Sequence, residues 1–182
     1  MKKGGKEDRK KSLKLLKESL NELIALTADL TYSQVYFRPA EGRWTIMDNI
    51  DHLIKVEDIT WGIIVKSLEK PDEGQASSIT DDDFIRQMST REQNFNAPKM
   101  LLPETSGYAS VKEALEVLKE KRNRTIKFVK TTDADLRKHF SPNPVFGLLD
   151  TYQWTLHPAT HCLRHIEQIE EILAHDDFPA KK

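Results

Sequence analysis

Apolar residues recur at three- and four-residue intervals along most of this chain, and the interruptions fall where proline and glycine collect. Leu13, Leu16, Leu20, Leu23 and Ile24 trace one stripe from about residue 8 to residue 30, a spacing that gathers side chains on one face of a helix. The segment YFRPAEGRW, with Pro39 and Gly42, ends it, because proline cannot continue a helix and glycine favours turns. A second stripe runs from about Thr45 to Glu69 through Ile46, Met47, Ile50, Leu53, Ile54, Trp61, Ile64 and Leu68, and stops at Pro71 and Gly74. Ser110 followed by Glu113 has the form of a capping box, in which each side chain satisfies a free backbone amide of the other. It opens a third helix over about Ser110 to Lys130 through Val111, Leu115 and Leu118. A short helix is expected near residues 81 to 95. The segment SPNPVFGLLD, with Pro142, Pro144 and Gly147, reads as a loop feeding a fourth long helix that ends around Ala174. Almost nothing reads as a strand.

Four amphipathic helices of this length bury their stripes most simply as a four-helix bundle, whose core is a usual place for metal and cofactor sites. The expected fold is therefore all-α, one domain over 1–182 with flexible tails at about 1–7 and 176–182. Composition agrees: 38% hydrophobic and 31% charged residues with only 7 glycines fit a helical globular chain better than a disordered or all-β one. The 28 basic residues are offset by 29 acidic ones scattered among them, so no basic stripe is present to neutralise a phosphate backbone and nucleic acid is not an expected partner. Nowhere do ~18 apolar residues run together, so no membrane span is expected. MKKGGKEDRKK leads into an amphipathic pattern rather than an apolar signal-peptide core. The single cysteine, Cys162, cannot form an internal disulfide, which fits a reducing compartment, and the cytoplasm is the expected location.

The fourth helix changes the picture. TLHPATHCLRHIEQIEEIL places His157, His161 and His165 four positions apart in a chain with six histidines. At about 100° and ~1.5 Å per residue, His161 and His165 differ by about 40° and ~6 Å, so both rings can reach one ion. His157 and His165 stand ~12 Å apart along the axis while metal–nitrogen bonds are about 2 Å, so all three cannot share it. Pro158 suits a first helical turn and disrupts an interior, which puts His157 at a kink or a helix start. Trp154, Ile172 and Gln168 fall within about 20° of His161, whereas Glu167, Glu170, Glu171 and Arg164 occupy the opposite arc and read as the wet side. Inward imidazoles need partners, since an unsatisfied buried polar group costs on the order of 1–3 kcal/mol. On the second helix His52 lies within about 20° of Ile59 and Ile63, at the edge of a wide apolar arc, and is the candidate third ligand. His139, in DLRKHF, and His175, in AHDDF, read as solvated surface residues.

WTIMDNIDHLIKVED together with NPVFGLLDTYQWTLHPATHCLRHIEQIEEI resembles the DinB/YfiT-like superfamily of metal-dependent enzymes, in particular the branch with a phenylalanine-glycine loop before the last helix. The resemblance spans most of the chain. It implies a four-helix bundle holding one metal through a second-helix histidine and an H-x-x-x-H pair of the fourth, here His52, His161 and His165. His157 has no ligand counterpart in that pattern, and Pro158 departs from it. The resemblance also implies a homodimer, and relatives that use low-molecular-weight thiols for isomerisation or transfer.

Other conspicuous residues have structural as well as functional readings. Gln168 would either orient a ligand by accepting from its second ring nitrogen or hydrogen-bond a neighbouring helix. Cys162 points about 100° away from His161 and reads as a small core residue. Glu57 lies in the apolar arc about 140° from His52, which argues for a structural partner. Trp44, Trp61 and Trp154 read as core or pocket wall. Three neutral imidazoles suit zinc first, then nickel, with iron and copper less favoured and the oxygen-seeking magnesium and calcium disfavoured. The expected chemistry on a small-molecule substrate is activation of a thiol for transfer or isomerisation. The alternatives are hydrolysis by a metal-bound hydroxide and a metal-binding or stress-related bundle without turnover. The inward arc of the fourth helix carries no acid to assist hydrolysis, which favours the thiol.

Overall fold

The computed structural model describes residues 3–70, 74–92, 98–103 and 107–180. Its helices are α1 (Lys3–Thr27), α2 (Tyr32–Val35), α3 (Ile46–Leu68), α4 (Asp81–Ser89), α5 (Val111–Thr131) and α6 (Thr151–Leu173), with a 3-10 turn at Lys99–Leu101. The four long helices, α1, α3, α5 and α6, are those the apolar stripes predict. The short one, α4, stops at Ser89; the end of the helix expected there, residues 93–95, lies outside the described residues, as does Pro71.

Capping fixes where the site-bearing helices begin. Thr45 accepts from the Asp48 amide while the Asp48 carboxylate accepts from the Thr45 amide, and Asp150 and Gln153 make the same reciprocal pair at α6. Such boxes satisfy backbone donors that have no partner inside the helix. The bundle closes over Leu20, Leu23, Ile46, Ile50, Leu118 and Ile169 at one end, and over Ile64, Phe84, Leu149, Tyr152 and Leu156 at the other.

Two expectations are corrected here. The segment before α6 is not a plain loop but an antiparallel hairpin of β1 (Phe140–Asn143) and β2 (Gly147–Asp150), paired from Phe140–Asp150 to Asn143–Gly147. Asn143 Oδ1 accepts from the amides of Val145 and Phe146 at 2.9 and 3.0 Å. Gly147 follows at φ +72, with the Ser78 side chain where a Cβ would stand. That combination closes a three-residue turn only glycine fits easily. Secondly, α6 begins two turns before His157, so His157 marks no helix start, and Pro158 lies inside the helix. The capping box at Asp150 starts the helix earlier, and Arg122 Nη2, donating to the Pro158 carbonyl at 2.8 Å, ties α5 to the helix at the proline.

The polar side of α6 is also drier than its own pattern implies. Arg164 is buried and donates to the Thr90 carbonyl, and the Arg91 amide donates to Glu167 at 3.1 Å. The reason is α4 and the residues after it, which pack along that face. At the chain end, Phe178 packs edge-on against Phe37 at 5.5 Å, and Gln34 Nε2 donates to the Pro179 carbonyl at 2.9 Å. No helix among the described residues is long and apolar enough to cross a membrane.

Candidate metal centre

The structure brings His52 of α3 together with His161 and His165 of α6. One ligating nitrogen from each lies within 4.8 Å of the others, and no carboxylate joins the group among the described residues. His52 Nε2 is 2.8 Å from His161 Nε2, and His165 Nε2 is 3.2 Å from it. His52 and His165 are 3% and 5% exposed, whereas His161 is half-buried, so the cluster is covered on two rings and open along the third.

The opposite ring nitrogens decide what those Nε2 atoms present. His52 Nδ1 lies 2.8 Å from the Leu101 carbonyl, which can only accept, so Nδ1 carries the proton. His165 Nδ1 lies 2.7 Å from Asn49 Oδ1. The Asn49 amide is oriented because its Nδ2 donates to the Thr45 carbonyl at 2.8 Å. Both rings thus hold their proton on Nδ1 and turn a bare lone pair on Nε2 toward His161. His161 offers at most one proton to two lone pairs, and its buried Nδ1 has no hydrogen-bond partner.

Converging nitrogen lone pairs repel unless a cation lies between them, and tetrahedral Zn–N bonds of about 2.0–2.1 Å set nitrogens roughly 3.4 Å apart. The donor set therefore fits a divalent transition metal with small ring movements. Protonation works the same way: burial pushes the pKa of His52 below its ordinary value, and those of His161 and His165 well below theirs. All three are held in the neutral form that ligates metal.

The surrounding residues wall the cluster. Trp44, just before the α3 cap, stacks on His165 at 5.8 Å with planes 7° apart and meets His52 at 4.9 Å. The short strap that carries the Leu101 carbonyl is fastened a second time by Lys55, whose Nζ donates to the Leu102 carbonyl at 2.9 Å and pairs with Asp51 at 3.2 Å.

His157 stacks on His161 at 5.4 Å, with Nδ1 3.3 Å from Thr60 Oγ1. It lies outside the ligating group, and burial drives its pKa down to about 4. Trp154 packs against His157 at 5.4 Å and donates its indole N–H to the Ser141 carbonyl, so it is wall rather than ligand. Gln168 Oε1 accepts from Arg91 Nη1 at 3.0 Å, tying α6 to the segment after α4. Cys162 is fully buried with its thiol pushed up to about 11, a core residue as expected.

His139 and His175 stay apart from the cluster, at the partly exposed surface. His139 Nδ1 bonds the Lys70 carbonyl at 3.0 Å, and His175 packs on Phe37 at 5.4 Å. A surface groove along α5, lined by Lys112, Glu116 and Asn123, carries no comparable cluster of imidazoles.

Asn49 and Leu101 are the functional residues that the sequence reading missed. Asn49 left a signal, an amide about 20° and 40° around α3 from the apolar Val56 and Leu53. A backbone carbonyl such as that of Leu101 leaves none.

A bundle of four long helices with imidazoles from two of them meeting in its interior defines a recognisable class. Residues 15–169 match the sequence profile of the DinB superfamily, and the chain belongs to it. Solved structures are similar in fold, and two of them illustrate it. One is the crystal structure of TT2238, a four-helix bundle protein, with TM-score 0.58 and 21% identity over 90% of this chain and 98% of that one. The other is YfiT from Bacillus subtilis, described as a probable metal-dependent hydrolase with an unusual four-helix bundle topology. It has TM-score 0.55 and 16% identity over 90% of this chain and 85% of that one. No curated protein matches the chain in sequence.

Proposed function

We propose that His52, His161 and His165 bind one divalent transition metal, zinc or nickel, and that the protein is an enzyme activating a small thiol for transfer or isomerisation. The observation that carries this reading is the pair of Nδ1 protons fixed on Leu101 and Asn49, which turns two Nε2 lone pairs onto the third ring. A divalent ion held by neutral imidazoles supplies Lewis acidity that lowers the pKa of a nearby thiol or water.

The chain's own residues do the rest. Trp44, Leu101 and the neighbouring helices cover His52 and His165, while the half-buried His161 marks the side from which a small molecule arrives. A water nucleophile benefits from a carboxylate to take its proton, and none joins the cluster among the described residues; a thiol of lowered pKa needs no such group.

Hydrolysis is the second reading. One observation favours it: His157, stacked on His161 at 5.4 Å, is a further neutral imidazole beside the cluster, although its pKa of about 4 makes it a weak base. The description of YfiT points the same way.

Elemental analysis of protein purified without chelator tests the site. One ion per chain is expected in the wild type and none in His52→Ala or His161→Ala; equal content in all three overturns it. Assays of the loaded protein with thiol-plus-electrophile pairs and with simple esters then separate the two reactions. Turnover of esters alone selects hydrolysis. Turnover of neither, with a coordination sphere closed by a fourth protein ligand, leaves a non-catalytic metal bundle.

A further inference from the structure

We propose that Asn49 is the positioning residue of this centre: its amide oxygen holds the Nδ1 proton of His165, aims that ring's Nε2 at the metal position, and so sets how tightly the ion is held. The inference rests on the metal reading above and goes beyond it, because it assigns affinity to a side chain that touches no ion.

Asn49 is fully buried, and its two polar ends are committed in opposite senses. Nδ2 donates to the Thr45 carbonyl at 2.8 Å, and Oδ1 accepts from His165 Nδ1 at 2.7 Å. Reversing the amide would set Oδ1 against the Thr45 carbonyl oxygen, losing one hydrogen bond and opposing two acceptors. Thr45 is itself immobilised as the α3 N-cap. The order Thr45 carbonyl, Asn49 amide, His165 imidazole is therefore directional, and its outcome is a His165 tautomer with Nε2 unprotonated. Trp44, stacked at 5.8 Å and nearly parallel, restrains the same ring from tipping. Gln168, the other amide near that ring, accepts from Arg91 at 3.0 Å and is also within hydrogen-bonding reach of His165, but it is Asn49 Oδ1 that stands 2.7 Å from Nδ1. Removing such an outer partner typically costs about 10–100-fold in metal affinity.

The test compares zinc affinity, by competition with a chromophoric chelator, in wild type, Asn49→Leu and Asn49→Asp. Asn49→Leu keeps the volume and loses the acceptor, and should bind zinc about 10–100-fold more weakly. Asn49→Asp keeps an oxygen on His165 but sets its other oxygen against the Thr45 carbonyl, so its affinity should fall between those of wild type and Asn49→Leu. Unchanged affinity in Asn49→Leu overturns the proposal, and so does an equal loss in both variants, which would mark a packing role.

A second measurement needs no variant. Long-range proton–nitrogen NMR of metal-free wild type should report His165 as the Nδ1–H tautomer, and an Nε2–H tautomer overturns the assignment even if the variants do not fold. A wild type that takes up neither zinc nor nickel removes the metal reading itself. A wild type that loads normally beside an equally loaded Asn49→Leu removes only the role of Asn49.

Discussion

Two polar clusters are buried in this bundle, both rooted on α3, and they are completed in opposite ways. In the first, Glu57 and Arg122 are each 1% exposed and form an ion pair. The guanidinium also donates to the Leu16 carbonyl, Ser19 Oγ and the Pro158 carbonyl at 2.8–2.9 Å. Burial opposes the charge on Arg122, but Glu57 outweighs it and the pKa rises. This cluster ties α1, α3, α5 and α6 to one another and spends its donors internally. In the second, three imidazoles turn nitrogen atoms toward one another at 2.8 and 3.2 Å with too few protons to go round. Burial alone therefore does not distinguish structure from function in these helices. What distinguishes them is how the polar atoms are balanced: the first cluster pairs opposite charges and leaves one carboxylate oxygen, Glu57 Oε2, without a hydrogen bond, whereas the second brings neutral rings with converging lone pairs to a point that a cation would satisfy.

The sharpest break of that comparison is Arg122→Leu, which strands the Glu57 carboxylate. It should cost about 3–5 kcal/mol in denaturant unfolding, while the folded fraction keeps its metal content. The double variant Glu57→Leu/Arg122→Leu should recover much of the loss. Zinc at about 100 times its dissociation constant should add roughly 2.7 kcal/mol of stability to the wild type. His161→Ala should abolish that increment while changing the metal-free stability less than Arg122→Leu does; a zinc-dependent shift surviving in His161→Ala would contradict the ligand assignment.

A smaller effect is expected from acid. His157 titrates at about 4 in the folded chain against an ordinary 6.5, and the three clustered rings are also lowered. Below pH 6.5 the unfolded chain therefore binds protons that the folded one refuses, so stability is full above 6.5 and falls toward about pH 4. Urea melts of metal-free protein across that window should show the decline. His157→Leu should flatten part of it without altering metal content, as befits a ring outside the ligand set. Smallest of all, Gly147→Ala should lower stability by about 1–2 kcal/mol through its positive φ, together with the shift its Cβ would force on the Ser78 side chain, and leave zinc binding untouched.

The long helices were legible because apolar spacing, caps and breakers coincide at Thr45, Ser110 and Gly42. The hairpin was not: Pro142 and Pro144 dominate ten residues and mask two four-residue strands. The cluster was legible in part. Spacing brought His161 and His165 onto one face and put His52 on an inward arc, but a single helix cannot reveal what lies across from it. Hence Arg164 read as wet although α4 and the residues after it cover that side, and Asn49 went unnamed beside Gln168, which meets both Arg91 and His165. Glu57 announced a partner by its place among apolar neighbours; that the partner is Arg122 depended on how α5 docks.

The strap over His52 leaves one more mark. Since the acceptor at position 101 is main-chain, any residue substituted there delivers the same oxygen, and the local sequence is free to drift. The spacing of the two fastened carbonyls is not. Leu101 and Leu102 are adjacent and held by His52 and Lys55, so a residue inserted between them would displace one oxygen by up to about 3.5 Å, and in divergent copies of this protein the register of that turn should be kept while its letters change.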